Sequence, residues 1–174
     1  MSVVRFVAKY CSQAKFFIKM DSDMYLMVDR VVGKLSSLSL EAIYGNYKIK
    51  SEVVRNGKYA VDKRDYPEDT YPTYHAGIYF IPANASLLLY RALVTTPHIG
   101  IIPALPFEDA YVSGILPERM NIPRKKFSGM VHLRPDNRQT DPNLYRNATV
   151  IFDNIDSNLM VCFNNTYGKF GPFV

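Results

Sequence analysis

Two apolar runs of five residues, FFIKM at Phe16–Met20 and IYFIP at Ile78–Pro82, restrict what this chain can become more than any other feature. Each is too short for a buried helix and rich in the aromatic and β-branched residues that suit a covered strand. Helical patterns follow both. After the first run, Val28, Val31, Val32, Leu35 and Leu38 recur on one helical face, so a helix is predicted over 28–38. After the second, Asn84 is a candidate N-cap for a helix through Ser86–Leu93. A further helix is predicted from Pro106, with Glu108 and Asp109 in its first turn and Tyr111, Val112, Ile115 and Leu116 as its apolar stripe. Covered strands alternating with helices make an α/β fold.

The remaining segments are less regular. Val3–Ala8 reads as a short helix or strand, Met24–Met27 as an apolar element, and Tyr44–Tyr59 as strand and hairpin material. Asp62–Gly77 carries Pro67 and Pro72 among Tyr66, Tyr71 and Tyr74, which favours an extended loop. A second loop is expected over Thr95–Leu105, around Pro97, His98 and Pro103, and strands over Phe127–Leu133 and Ala148–Phe152. At 174 residues, one domain is the expectation.

Charge and cysteine content narrow the function classes. The net charge of +5 is scattered, and its one cluster, Arg124-Lys125-Lys126, reads as a solvated loop after Pro123 rather than a nucleic-acid site. No run of about 20 apolar residues is present, and Arg5, Lys9 and Lys15 interrupt any signal-peptide core. Three N-x-S/T sequons, at Asn84, Asn147 and Asn164, favour a lumenal setting. With only Cys11 and Cys162, a cysteine-based zinc site is excluded and at most one intramolecular disulfide is available.

Two carboxylate pairs carry the candidate chemistry. Asp21-Ser22-Asp23 leaves the first strand, and oxygen-only ligands in that arrangement suit a hard cation such as Mn²⁺ or Mg²⁺, although a strand-ending turn accounts for them equally well. Glu108-Asp109 is either ordinary helix-end charge or a placed general base. His75, His98 and His132 lack metal-ligand spacing and are expected to be structural or solvent-facing.

Taken together, four blocks in order resemble the β-1,3-glycosyltransferases, a family that includes galactosyl- and N-acetylglucosaminyltransferases. They are VAKYCSQAKFFIKMDSDMYLMVDRVVGKL, VRNGKY, DYPEDTYPTYHAGIYFIP and LPFEDAYVSGIL, within about Phe6 to Ile122. The resemblance implies a GT-A fold, here its C-terminal portion, with a UDP-sugar donor, a glycan acceptor and inverting transfer to a sugar 3-hydroxyl. Carried over by position, Asp23 would bind Mn²⁺, Asp21 would help hold the metal or the donor ribose, and Asp109 would be the base. Lys19, Gly77 and Glu108 would line the donor and acceptor pocket. The chain differs from the family pattern at His75, where a cysteine is usual, and at Tyr79, where a glycine is usual. Asp153 stands near the place of a C-terminal metal-binding histidine and is a candidate oxygen ligand. The family is lumenal in the Golgi, held by an anchor that would lie upstream of Met1, together with a stem and the first nucleotide-binding strands. The competing expectation is a non-catalytic lumenal binding module that keeps part of the fold.

Overall fold

The computed structural model describes residues 3–11, 13–95, 107–132 and 145–152, with the single positions 155, 160, 161, 163 and 165. In chain order the elements are α1 (Val3–Tyr10), β1 (Phe16–Met20), β2 (Tyr25–Leu26), α2 (Val28–Leu35), β3 (Ile43–Lys48), β4 (Tyr74–Pro82) and α3 (Ala83–Thr95). Then come α4 (Glu108–Ala110), a π-helical turn (Tyr111–Ile115), α5 (Leu116–Arg119), β5 (Arg124–Lys126), β6 (Met130–His132) and β7 (Val150–Phe152). They gather into two compact units, Met1–Lys19 with Ser39–Lys126, and Met20–Leu38 with Phe127–Val174.

The first unit is built on a four-stranded sheet in the order β1-β4-β3-β5. β4 runs antiparallel to β3, and β5 parallel to it. All of β4 except Ala76 is buried, which explains its unbroken apolar run. Ile43, Tyr79 and Ile81 from the sheet pack with Val4 of α1, Ala85 and Leu89 of α3, and Val112, Leu116 and Ile122. α3 turns Ala85, Ser86, Leu89 and Ala92 inward at helical spacing and leaves Leu87 and Leu88 exposed.

Several sequence expectations shift here. α3 begins at Ala83, whose N–H donates to the Lys15 carbonyl at 3.1 Å, so Asn84 falls inside the first turn. Its Oδ1 accepts the Ala85 N–H at 2.8 Å. Arg124-Lys125-Lys126 is the edge strand β5, paired with Ile43, Tyr44 and Gly45, and not a loop. Exposed Lys125 and Lys126 suit an edge, where charge discourages pairing with another chain. β3 is followed by irregular chain with one isolated bridge, Glu52 to Thr70, and not by a hairpin. β4 starts at Tyr74, so the last residues of the expected loop are strand. The strand assignments at 124–126 and 74–77 have no local sequence signal, because both depend on the neighbouring strand.

One irregularity in the sheet shapes the site. Gly45 pairs with Tyr79 and Tyr47 with His75, so β4 carries a bulge against β3, and within it Gly77 has φ +75°. That conformation is open to glycine and strained for other residues. Across from the bulge, Asn46 Nδ2 donates to the Ala76 carbonyl at 3.2 Å. Gly45 is needed for space, since a Cβ there would sit 2.6 Å from the Ile78 carbonyl and 2.8 Å from His75 Cγ. Because the first of these contacts is backbone, Gly45→Ala is expected to lower stability by roughly 1–3 kcal/mol in urea denaturation. An unchanged midpoint would show that β3 can move away from β4.

The second unit holds the sheet β2-β7-β6, with β2 antiparallel and β6 parallel to β7. Tyr25, Met27, Tyr145, Ala148, Ile151, Ile155 and Phe163 form its core. Arg30 of α2 donates to the Ala148 carbonyl at 2.8 Å, and Thr149 Oγ1 to the Ser128 carbonyl at 2.8 Å. No helix among the described residues is long and apolar enough to cross a membrane.

Candidate functional site

Asp109 lies in the short helix α4, where Phe107 precedes Glu108 and the first-turn N–H groups favour negative charge. It is buried, with 7% of its surface exposed. Both carboxylate oxygens are engaged. Oδ2 accepts the Gly77 N–H at 2.7 Å, and Oδ1 accepts from Lys19 Nζ at 2.7 Å. The β4 bulge takes the Gly77 N–H out of the regular ladder, so the strained glycine and the carboxylate belong to one device. Burial pushes the Asp109 carboxyl above the usual carboxylate range, while the Lys19 ammonium and the Gly77 N–H pull it down and Glu108 adds to the rise.

Lys19 reaches Asp109 from β1. Its ammonium also lies 3.4 Å from Glu108 Oε2 and 5.5 Å from the centre of the Tyr79 ring. Glu108 is half exposed and accepts a hydrogen bond from the Tyr79 hydroxyl. Lys19, Gly77, Glu108 and Asp109, all sequence candidates, are therefore brought together. Tyr79, which stands where the family pattern has glycine, is 1% exposed and forms part of the same cluster.

On the other side, the tyrosine-rich segment packs inward. Tyr71 and Tyr74 lie 5.8 and 5.4 Å from Phe107, ring centre to ring centre, and Tyr66 lies 5.3 Å from Tyr71. Tyr66, Tyr71 and Tyr74 join Val53, Val61, Ala110 and Ile115 in one apolar cluster. Arg55 ties the segment by donating to the carbonyls of Val61 at 3.0 Å and Tyr66 at 2.9 Å. The segment thus braces the helix that carries Asp109. Phe107 and Arg55 carried no sequence signal of their own.

Ser113 belongs to no motif for a site, although its place four residues after Asp109 is the spacing at which a hydroxyl bonds back to a helix carbonyl. Its Oγ lies 2.6 Å from the Asp109 carbonyl and accepts the His75 N–H at 2.9 Å. His75 is fully buried, as expected of a structural histidine, with Nε2 3.2 Å from the Ile43 carbonyl. Burial lowers its pKa to about 4.

Asp21 and Asp23 lie on the turn between β1 and β2, Asp21 exposed and Asp23 half-buried. The Asp23 carbonyl accepts the Ile155 N–H at 3.2 Å, which fixes the backbone of this turn. Among the described residues no three His, Cys, Asp or Glu side chains gather as a metal cluster. Asp153, Cys162, His98 and the third sequon at Asn164 lie outside the described residues. Cys11 is half-buried. Asn84 and Asn147, the acceptors of the other two sequons, are exposed.

Comparison with known proteins adds to this geometry. A family described as galactosyltransferase matches residues 1–128. β-1,3-Galactosyltransferase 1 of Homo sapiens and of Mus musculus are each 30% identical over 135 residues, covering 74% of this chain and 39% of the relative. β-1,3-Galactosyltransferase 5 of Pan troglodytes is 30% identical over 127 residues, covering 70% of this chain and 40% of the relative. The chain therefore spans about two fifths of the length of the curated relatives it matches. The match takes in both carboxylate pairs, the β4 bulge and the π-helical turn, and the chain belongs to the galactosyltransferase family, its α/β architecture being part of a fold of the GT-A type.

Proposed function

We propose that the chain carries the acceptor-activating part of an inverting β-1,3-hexosyltransferase, which moves a hexose or N-acetylhexosamine from a UDP-sugar to the 3-hydroxyl of a glycan sugar. One observation carries this reading: a buried carboxylate, Asp109, anchored at one oxygen by the Gly77 N–H and at the other by Lys19. A group held this way keeps its orientation while its proton affinity stays above that of a solvated aspartate. Asp109 takes the proton of the acceptor hydroxyl as that oxygen bonds to the anomeric carbon. The bond to the UDP oxygen breaks on the opposite face, which inverts the configuration. Glu108 would meet a sugar hydroxyl, a reading supported by its being the half-exposed member of the cluster.

Asp21 and Asp23 are the residues that would hold a divalent cation. Two oxygen-only carboxylates on a turn fit a hard ion such as Mn²⁺, which keeps positions open for phosphate oxygens. When bound, such an ion supplies neutralisation of the diphosphate charge on the leaving group. Electron paramagnetic resonance of Mn²⁺ titrated with the 174-residue chain tests this without an activity assay. Asp23→Ala is expected to weaken binding by about tenfold or more, by analogy with other disturbances of metal sites. Equal binding by the Asp21→Ala/Asp23→Ala protein would remove the metal from the reading.

A Golgi-lumen setting is supported by the exposed acceptors of two sequons, Asn84 and Asn147. The second reading, a lumenal binding module, is favoured by Tyr79, which fills space that a glycine leaves open. Assaying UDP release from UDP-galactose and UDP-N-acetylglucosamine with Mn²⁺ and a glycan acceptor separates the two. Acceptor-dependent release supports the transferase, and glycan binding without release supports the module.

A further inference from the structure

We infer that Ser113 is a positioning residue for Asp109: its hydroxyl clamps the π-helical turn onto β4 so that the carboxylate meets the Gly77 N–H. The inference rests on the reading of Asp109 as the base, and deepens it.

Ser113 is fully buried, and its hydroxyl reaches both elements. Oγ accepts the His75 N–H at 2.9 Å, and it lies 3.1 Å from the His75 carbonyl and 2.6 Å from the Asp109 carbonyl. A hydroxyl has one proton, so it donates to one carbonyl at a time while still accepting from His75. Without it, the buried His75 N–H would lose this acceptor, a costly loss in a dry site. Two tethers result, Ser113 to His75 and Asp109 to Gly77, on one turn of helix and on adjacent residues of one strand face.

The local backbone is built for this approach. Within the widened turn the Leu116 N–H bonds to the Tyr111 carbonyl, one residue further back than in an α-helix. Next to Ser113, a Cβ added at Gly114 would meet Tyr74 Cβ at 2.7 Å, so turn and strand are already in close contact. A serine at this point holds the backbone of Asp109 from below while the bulge presents its N–H to the carboxylate from the side. The contacts of Ser113 are all to backbone groups, of His75 and Asp109, and not to the carboxylate, so Ser113 acts through Asp109.

The test reads the Gly77 amide and the Asp109 carboxyl by NMR in the 174-residue chain, as pH is varied. The titratable and charged groups facing Asp109 are Lys19 of β1, Tyr74 and Tyr79 of β4, and Glu108 beside it, and none is altered by changing Ser113. In the wild type the Gly77 amide shift should follow the Asp109 titration. In Ser113→Ala that response shrinks and the Asp109 midpoint moves to higher pH, because a stabilising N–H is withdrawn. Ser113→Thr, which keeps a hydroxyl able to bond back along a helix, restores both. A folded Ser113→Ala protein with the wild-type Gly77 response and Asp109 midpoint overturns the inference. Should Ser113→Ala fail to fold, hydrogen exchange in the wild type decides. Equal protection of the His75 and Gly77 amides supports one clamp, and much faster exchange at Gly77 overturns it. Wild-type transfer by Asp109→Asn would defeat the catalytic reading while leaving this titration result intact, so the two failures are distinguishable.

Discussion

Asp109→Asn is expected to lower the proposed sugar transfer by about 10²–10⁴-fold, the range lost when a positioned general base is removed. The substitution keeps the shape of the side chain and an oxygen that can accept the Gly77 N–H at the place now occupied by Oδ2. It removes the negative charge and the ability to take a proton from a sugar hydroxyl. Loss of rate therefore reports chemistry, provided that the fold persists. It should persist, because the ionised carboxylate is not a net source of stability at neutral pH. Burial raises its folded pKa above the unfolded value of 3.8, so the folded chain holds this proton more tightly than the unfolded chain. As pH rises between the two values, this group lowers stability. The lost Lys19 contact works the other way, and Lys19 keeps Glu108 as an acidic neighbour at 3.4 Å. For the wild type, the same raised pKa sets the sign of the pH profile. With Asp109 as the proposed base, transfer is expected to need its ionised form, so activity should rise with pH through a limb lying above the usual carboxylate range. Initial rates over a pH series, compared with the melting temperatures of both proteins, provide the check. Retained activity in a folded Asp109→Asn protein would sink the assigned base.

What was legible in the sequence is what local chemistry determines. FFIKM is β1 over the predicted residues because a short apolar run ended by Asp21 needs no distant partner to be read as a strand. Glu108 and Asp109 fall in a first helical turn as expected, since Pro106 and the following stripe mark a helix start. The rest depends on contacts far apart in the chain. Arg124–Lys126 is a strand only because β3 offers an edge, and Tyr74–Gly77 are strand only because β3 runs beside them. Lys19 is placed in the donor and acceptor pocket by resemblance alone, and no local signal tells that it meets a carboxylate 90 positions away. Tyr79 is legible only as a departure from the glycine of the family pattern, and the structure gives it contacts to Glu108 and Lys19. The D-x-D motif is legible as a motif, and the further oxygen ligand expected at Asp153 lies outside the described residues.

A second large effect is expected from acid, through His75 rather than through the carboxylates. Its ring is buried beneath β3, and Nε2 lies 3.2 Å from the Ile43 carbonyl, an acceptor that calls for the proton to sit on Nε2. Nδ1 then carries a lone pair with no hydrogen-bond partner among the described residues. Protonating Nδ1 would place a charge in a buried site, and burial accordingly lowers the folded pKa from 6.5 to about 4, with Arg124 adding to the fall. The unfolded chain binds this proton below about pH 6.5 while the folded chain refuses it until about pH 4, so stability is lost as pH falls across that window. The loss amounts to about 3 kcal/mol, a large share of the stability of a small domain. His75→Gln can keep an amide donor towards Ile43 without titrating. Urea denaturation at several pH values should therefore show the wild type losing stability between pH 6.5 and 4 by about 3 kcal/mol more than the variant. Parallel curves for the two proteins would mean that another group governs acid unfolding. His75 N–H is bonded to Ser113, which in turn holds the Asp109 backbone, so acid that charges the histidine loosens the same seam on which the carboxylate depends.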